Sequence, residues 1–181
     1  MQQTPDDILR FWFVEHGRSD WFRSRRELDL KIERQFSLLH RKALDGALSD
    51  WRVSLHGCLA EILVLDQFSR HLYRKRANAF AGDPLALERA QAVVSRGEDV
   101  TLTIDERHFL YMPFMHSESL AIQDDSVRLF GLLGDGKRRQ AERHRDIIRR
   151  FGRYPHRNAA LNRKNTMEEE AYLRKNSRFG Q

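Results

Sequence analysis

The chain has 181 residues, a formal net charge of +6 and one cysteine, Cys58, so a disulfide scaffold is excluded and a single domain over residues 1–181 is expected. No stretch approaches the roughly 20 apolar residues of a membrane span, and the N-terminus lacks the basic region and cleavage site of a signal peptide. We therefore expect a cytoplasmic protein with no membrane partner.

The first half of the chain is predicted to be helical, because its apolar residues recur every three or four positions and hardly ever alternate. The first helix begins at Thr4, with Pro5 in the favoured first position. Ser24 and Glu27 form a capping box for the second helix. The third helix, from about Ser54 to Leu72, is apolar around more of its circumference, which predicts a central position.

The fourth and fifth predicted helices contain the prolines that shape the middle of the chain. Asp83 and Pro84 start the fourth helix. Asp105 is predicted to cap the fifth helix, in which Pro113 removes a backbone hydrogen bond and should kink or end the helix. The segment FLYMPFMHSE, which contains this proline, belongs to the fifth predicted helix.

The last part of the chain completes an all-α pattern. Helices are predicted from about 119 to 133, from 137 to 151, and after a capping box of Thr166 and Glu169, whereas residues 175–181 are expected to fray. About seven or eight helices with short connections predict an antiparallel helical bundle or superhelix. No tetratricopeptide-repeat consensus is visible at a fixed period.

Arginine supplies 26 of the 32 basic residues. Its planar fork binds carboxylates and phosphates, although codon usage alone also produces such a bias. The basic residues are spread along the chain among acidic ones, and no nucleic-acid motif is present, so nucleic acid is not an expected partner.

Three polar clusters interrupt or adjoin apolar helix faces, where solvation alone does not explain them. They are Asp66, Gln67 and Arg70; His116 and Glu118; and His144, Arg145, Arg153, His156, Arg157 and Asn158. A buried Asp66 without a partner would cost several kcal/mol, so we expect an arginine from another helix beside it. The same pairing is also typical of a purely structural brace between helices.

His116 is a candidate acid–base residue because Pro113 should release it from regular helical pairing and let its ring turn into a cleft beside Glu118. A core or capping histidine is the alternative. The histidines and Glu118 also offer metal donors, but their spacing matches no metal motif and the arginines would repel a cation. We predict no metal and no cofactor.

The segments DILRFWF, LDQFSRHLY, FLYMPFMHSE and RFGRYPHRN together resemble the bacterial domain-of-unknown-function 924 family, over nearly the whole chain. The resemblance implies an all-α superhelix similar to tetratricopeptide-repeat proteins, and it implies no particular activity. All residues of the three clusters stand at motif positions of this family. The family usually has proline and asparagine at Ser69 and His71, and glycine and serine at Asn162 and Asn165.

The leading hypothesis is a binding domain whose concave face captures a carboxylate or phosphate of a small anionic ligand or peptide. Asp66 and Glu118 would hold the arginines in place. The residues expected to clamp the anion are Arg70, Arg153, Arg157 and Asn158.

Two other hypotheses stay open at the level of sequence. In the first, the chain is a small hydrolase or transferase with His116 or His156 as general acid or base, a carboxylate such as Glu118 beside it, and arginines that stabilise negative charge. In the second, the clusters are a structural network in which a carboxylate or carbonyl pairs with every arginine. The sequence does not decide between enzyme and binding protein, and it defines no oligomeric state.

Overall fold

The structure, a computed structural model, describes residues 3–21 and 26–176, and every regular element in these ranges is helical, as the sequence predicts. The α-helices are α1 (Pro5–Leu9), α2 (Arg18–Trp21), α3 (Arg26–Leu44), α4 (Leu55–Ile62), α5 (Ser69–Leu72), α6 (Asp83–Ser95), α7 (Ile104–His116), α8 (Leu120–Gly131), α9 (Asp135–Phe151) and α10 (Met167–Lys175). Within the same ranges, no helix combines the length and the apolar character needed to cross a membrane.

Shorter helical segments join these helices. Two are π-helical, Arg10–Glu15 and Leu63–Phe68, and the others are 3-10 helices: Ser49–Val53, Ala77–Phe80, Glu98–Thr101 and Pro155–Arg157. The predicted cap at Ser24 and the last five residues of the predicted tail lie outside the described ranges. The tetratricopeptide-like superhelix and the single domain stay predictions.

The predicted third helix is central, as its apolar circumference indicates. It consists of α4, the π-helical segment Leu63–Phe68 and α5, which follow one another without a break, and every residue from 57 to 69 is buried. Helices α1, α3, α6 and α7 all contact it. The sequence pattern did not predict the π-helical segment, which holds the polar residues Asp66 and Gln67 inside the core.

Aromatic side chains from the N-terminal segment complete this core. Trp12 is fully buried, with ring centroids 5.7 Å from Phe68 and 5.4 Å from Phe109, and the Trp21 ring lies 4.9 Å from Phe109. These edge-to-face and tilted contacts are the arrangements that aromatic pairs prefer. They attach the π-helical segment Arg10–Glu15 to the central helix and to α7, and α2 to α7.

Helix α7 differs from its prediction at both ends. The prediction that Asp105 caps it is wrong, because Thr103 is the N-cap and forms a capping box with Glu106. Asp105 instead pairs with Arg18. The helix also continues past Pro113 and ends at His116, so this histidine lies at the C-terminus of a buried helix.

Helix α6 begins where a glycine contacts the backbone of the central helix. Gly82 precedes the first helical residue, Asp83, and a Cβ atom added to Gly82 would clash with the backbone carbonyl oxygen of Leu65. The close approach of the two backbones therefore requires glycine. It places Asp83 beside the turn of the central helix that contains Asp66.

Gly82→Ala is expected to lower the free energy of unfolding by about 1–3 kcal/mol, because the added methyl group must push two backbones apart. Gly136→Ala is the matched control, since no atom lies within 4 Å of the methyl group it would add. Urea unfolding of both variants measures the difference. Equal stability of the two variants would contradict a tight contact at Gly82.

Candidate functional site

The site is centred on a buried aspartate and a histidine from different helices. Asp66 belongs to the π-helical segment and is 1% exposed, and its Oδ1 lies 2.6 Å from Nδ1 of His116 at the end of α7. Gln67 donates a hydrogen bond to Oδ2, and Nη1 of Arg70 lies 3.1 Å from Oδ1. We expected an arginine from another helix, and this was wrong: Arg70 follows one turn later on the same central helix.

The environment fixes the protonation of this Asp66–His116 pair. Burial raises the pKa of Asp66, but the charge of Arg70 and the hydrogen bonds to the carboxylate outweigh it and lower the pKa below its usual range. Burial and the charge of Arg70 lower the pKa of His116. At neutral pH an ionised Asp66 therefore accepts the proton that Nδ1 of a neutral His116 donates.

The other ring nitrogen of His116, Nε2, carries the lone pair in this state. Within residues 3–21 and 26–176 it makes no hydrogen bond, and 13% of the His116 side chain is exposed. An imidazole that a carboxylate orients, with its second nitrogen not hydrogen-bonded in the described ranges, has the arrangement of a general base.

Two arginines flank this pair and share one carboxylate. Arg70 forms a bidentate pair with Asp83, at 2.9 and 3.1 Å, and Arg157 donates to Oδ2 of the same carboxylate at 3.1 Å. Their guanidinium carbons lie 5.7 and 4.6 Å from the centre of the Phe80 ring. We call Arg70 and Arg157 the arginine pair.

Arg157 joins the 3-10 helix Pro155–Arg157 to α7. Its Nη2 donates to the backbone carbonyl of His116 at 2.8 Å, and its guanidinium lies between the rings of Phe80 and Tyr154. The Tyr154 hydroxyl in turn donates to the carbonyl of Met115. The RFGRYPHRN segment is thus attached to the C-terminus of α7 at two consecutive carbonyl groups.

Glu118 has a different partner from the one expected. It accepts hydrogen bonds from both terminal nitrogens of Arg163, at 2.7 and 2.9 Å, and from the backbone nitrogen of Tyr154 at 2.7 Å. Among the described residues, the hydrogen bonds of Glu118 therefore go to Arg163 and the loop backbone and not to the expected clamp arginines, although its charge acts on Arg157. Its contacts fix the loop that contains Tyr154.

The rest of the third cluster makes contacts elsewhere. Arg153 forms a bidentate pair with Glu169 at 2.7 and 2.9 Å, which ties the loop to α10. Nε2 of His156 lies 2.7 Å from the carbonyl oxygen of Asn176. Further contacts of the cluster run from Asn158 to Asn165, from His144 to the carbonyl of Gln140, and from Arg145 to Asp124.

The sequence did not single out four residues that build the site: Phe80, Asp83, Tyr154 and Arg163. Asp83 stands between glycine and proline at a helix start, and this local role conceals its ion pairs. Tyr154 lies inside the RFGRYPHRN segment, which is the one signal that points to it. Phe80 and Arg163 have no such signal.

The fold and the site define an all-helical protein with a buried aspartate–histidine pair beside an arginine pair. The chain belongs to the family described as "Bacterial protein of unknown function (DUF924)", whose profile matches residues 8–177. The solved "Structure of Protein of Unknown Function ATU0120 from Agrobacterium tumefaciens" is similar, with 38% sequence identity and a TM-score of 0.90 over 94% of this chain and 97% of that one. No curated protein matches the chain.

Arg157→Ala is expected to lower the free energy of unfolding by about 3 kcal/mol, because Asp83 and the carbonyl of His116 lose a half-buried partner. The loss should be smaller in an Asp83→Asn background, since the two residues interact directly. Arg149→Ala, which removes an exposed pair with Asp146, is the control and should cost less than about 1 kcal/mol. Additive effects of the two site substitutions would contradict the coupling.

His144 should make the protein less stable as the pH falls. Burial lowers its pKa to about 4, below the roughly 6.5 of an unfolded histidine, so the unfolded state binds the proton first and stability falls as pH drops from about 6.5. His144→Gln should flatten the dependence between about pH 6.5 and 5, where carboxylates stay largely ionised. Urea unfolding measures the slope, with exposed His56→Gln as the control. An unchanged slope in His144→Gln would reject this assignment.

Proposed function

We propose that the chain is a small-molecule hydrolase or transferase in which His116 is the general acid and base. The observation that carries the proposal is the 2.6 Å hydrogen bond between the buried carboxylate of Asp66 and Nδ1 of His116. It leaves the lone pair on Nε2, the second nitrogen of a side chain that is 13% exposed. This proposal is the enzyme hypothesis drawn from the sequence, except that the carboxylate beside His116 is Asp66 and not Glu118.

The chemistry follows from this protonation state. The Nε2 atom of His116 accepts the proton of a water or hydroxyl group while that oxygen attacks the substrate, and the same proton then passes to the leaving group. Asp66 keeps the ring in the required tautomer and stabilises the imidazolium in between. The arginine pair supplies positive charge beside the ring, where negative charge develops on the substrate.

The anion-binding hypothesis is the second candidate, and one observation favours it. Arg70 and Arg157 converge on the carboxylate of Asp83, so their donors already have the arrangement in which arginines bind a carboxylate. Arg153 supports this hypothesis less well, because Glu169 already occupies its fork. The purely structural network is supported by the same pairing of arginines with carboxylates.

Other features of the proposal rest on the sequence. We retain a cytoplasmic location, one domain, a tetratricopeptide-like superhelix and a small molecule or peptide, with no nucleic acid, as expectations. The buried Cys58 fits a reducing compartment.

His116→Ala should lower turnover of any accepted substrate by about a hundredfold or more, because it removes the proton acceptor. The assay is a screen of small esters, amides and phosphate esters with purified wild-type protein, followed by kinetics on each hit. His156→Ala is the matched control, since His156 contacts the backbone carbonyl of Asn176, away from the Asp66–His116 pair, and the variant should retain activity.

Asp66→Asn provides a second readout. It should lower kcat and change its pH profile, since the amide no longer favours the same tautomer or stabilises the imidazolium. A substrate that is turned over equally by wild type and His116→Ala would refute the assignment of His116. Loss of turnover only in His156→Ala would move the acid–base role to that histidine.

A further inference from the structure

Asp83 occupies the position between the two arginines that an anionic ligand would need. Its carboxylate accepts three hydrogen bonds, two from Arg70 and one from Arg157, at 2.9, 3.1 and 3.1 Å. The Phe80 ring lies against both guanidiniums, whose central carbons are 5.7 and 4.6 Å from its centre. An incoming carboxylate or phosphate can use these donors only by displacing Asp83.

The backbone holds Asp83 in this position. Gly82 lies against the carbonyl of Leu65 on the central helix, at a distance that no larger residue permits. Asp83 is also the first residue of α6, where the helix dipole stabilises a negative charge. A carboxylate fixed in this way is a permanent counter-ion and not a flexible side chain that a ligand can push aside.

The charges around the His116 ring balance at neutral pH. The carboxylates of Asp66 and Asp83 face the guanidiniums of the arginine pair, and His116 is neutral. On the surrounding elements, Glu118 is paired with Arg163, burial lowers the pKa of His144 to about 4, and burial raises the pKa of Tyr154. These other groups add no net charge, so a negative ligand would find no unbalanced cation among them.

We infer that Asp83 determines the charge of the substrate: the site accepts an uncharged polar group, such as an ester, an amide or a hydroxyl, and excludes free carboxylates and phosphates. This inference rests on the proposed function, because it names the class of group that reacts at His116. Bringing an uncompensated charge into a half-buried site is costly, whereas a neutral carbonyl becomes negative only while His116 becomes positive.

Sulfate binding tests the inference, since sulfate keeps its charge near neutral pH and is not a substrate for proton transfer. Thermal unfolding in sodium sulfate is compared with sodium chloride at equal ionic strength, and isothermal titration then gives the affinity. Asp83→Asn leaves the arginine pair with an unbalanced positive charge. It should bind sulfate about tenfold or more tightly than the wild type, which should show no specific shift.

Two further variants separate this effect from a general gain of positive charge. Asp29→Asn frees Arg74 from a similar bidentate pair, at 2.6 and 2.9 Å, but exposes one guanidinium and not two. It should gain little sulfate affinity. Asp83→Asn combined with Arg157→Gln restores the charge balance and should lose the sulfate affinity again.

The outcomes are distinct. Specific sulfate binding by the wild type would overturn the inference, as would a folded Asp83→Asn protein with no gain, or an equal gain in Asp29→Asn. If Asp83→Asn does not fold, Asp83→Glu replaces it. This variant keeps the negative charge and should exclude sulfate as the wild type does. Sulfate binding by the wild type or by Asp83→Glu would overturn the inference. None of these measurements requires turnover. The sulfate experiments therefore test the role of Asp83, whereas the kinetics of His116→Ala test the acid–base role, and either one can fail without the other.

Discussion

The burial of one ionised carboxylate is the constraint on which the rest of the structure depends. Asp66 lies on a helix that is buried over thirteen consecutive positions, and a charge there must be paired and hydrogen-bonded to be tolerated. Its partners come from its own helix, through Arg70, and from α7, through His116. The helices around Asp66 are therefore positioned by polar contacts as well as by apolar packing.

These contacts continue outward as a chain of alternating charges. From Asp66 it runs through Arg70 and Asp83 to Arg157. Arg157 donates to the backbone carbonyl of His116, and the His116 ring pairs with Asp66, where the chain of contacts began. The loop closes through four separate elements of the sequence: the central helix, α6, the 3-10 helix Pro155–Arg157 and α7. Such a closed network holds each member in one orientation, and this supports both an active site that is preorganised and a scaffold that is rigid.

The sequence predicted the helices and the main members of the site better than their partners. Periodicity identified the central helix, and the cost of burying Asp66 predicted an arginine beside it. This arginine is Arg70, four residues later on the same helix, a spacing at which helical side chains meet. The sequence pattern did not predict the π-helical segment that contains Asp66. The backbone conformation of Asn162 was not predicted either. This asparagine adopts the left-handed conformation, with φ of 53°, at a position where the family usually has glycine. Long-range pairs such as Asp83 with Arg157 require the tertiary fold.

The π-helical segment also limits how the length of the central helix can vary. A π-helical turn contains one residue more than an α-helical turn, and each residue of an α-helix turns the chain by about 100°. Loss of one residue between 63 and 68 would therefore convert the π-helical turn into an α-helical one and leave α4 and α5 facing their present neighbours. Loss of one residue within α4 or α5 would instead rotate the apolar face of α4 and the polar face around Arg70 against each other by about 100°. In evolutionary terms, the π-helical segment is the part of the central helix in which the length can change by one residue.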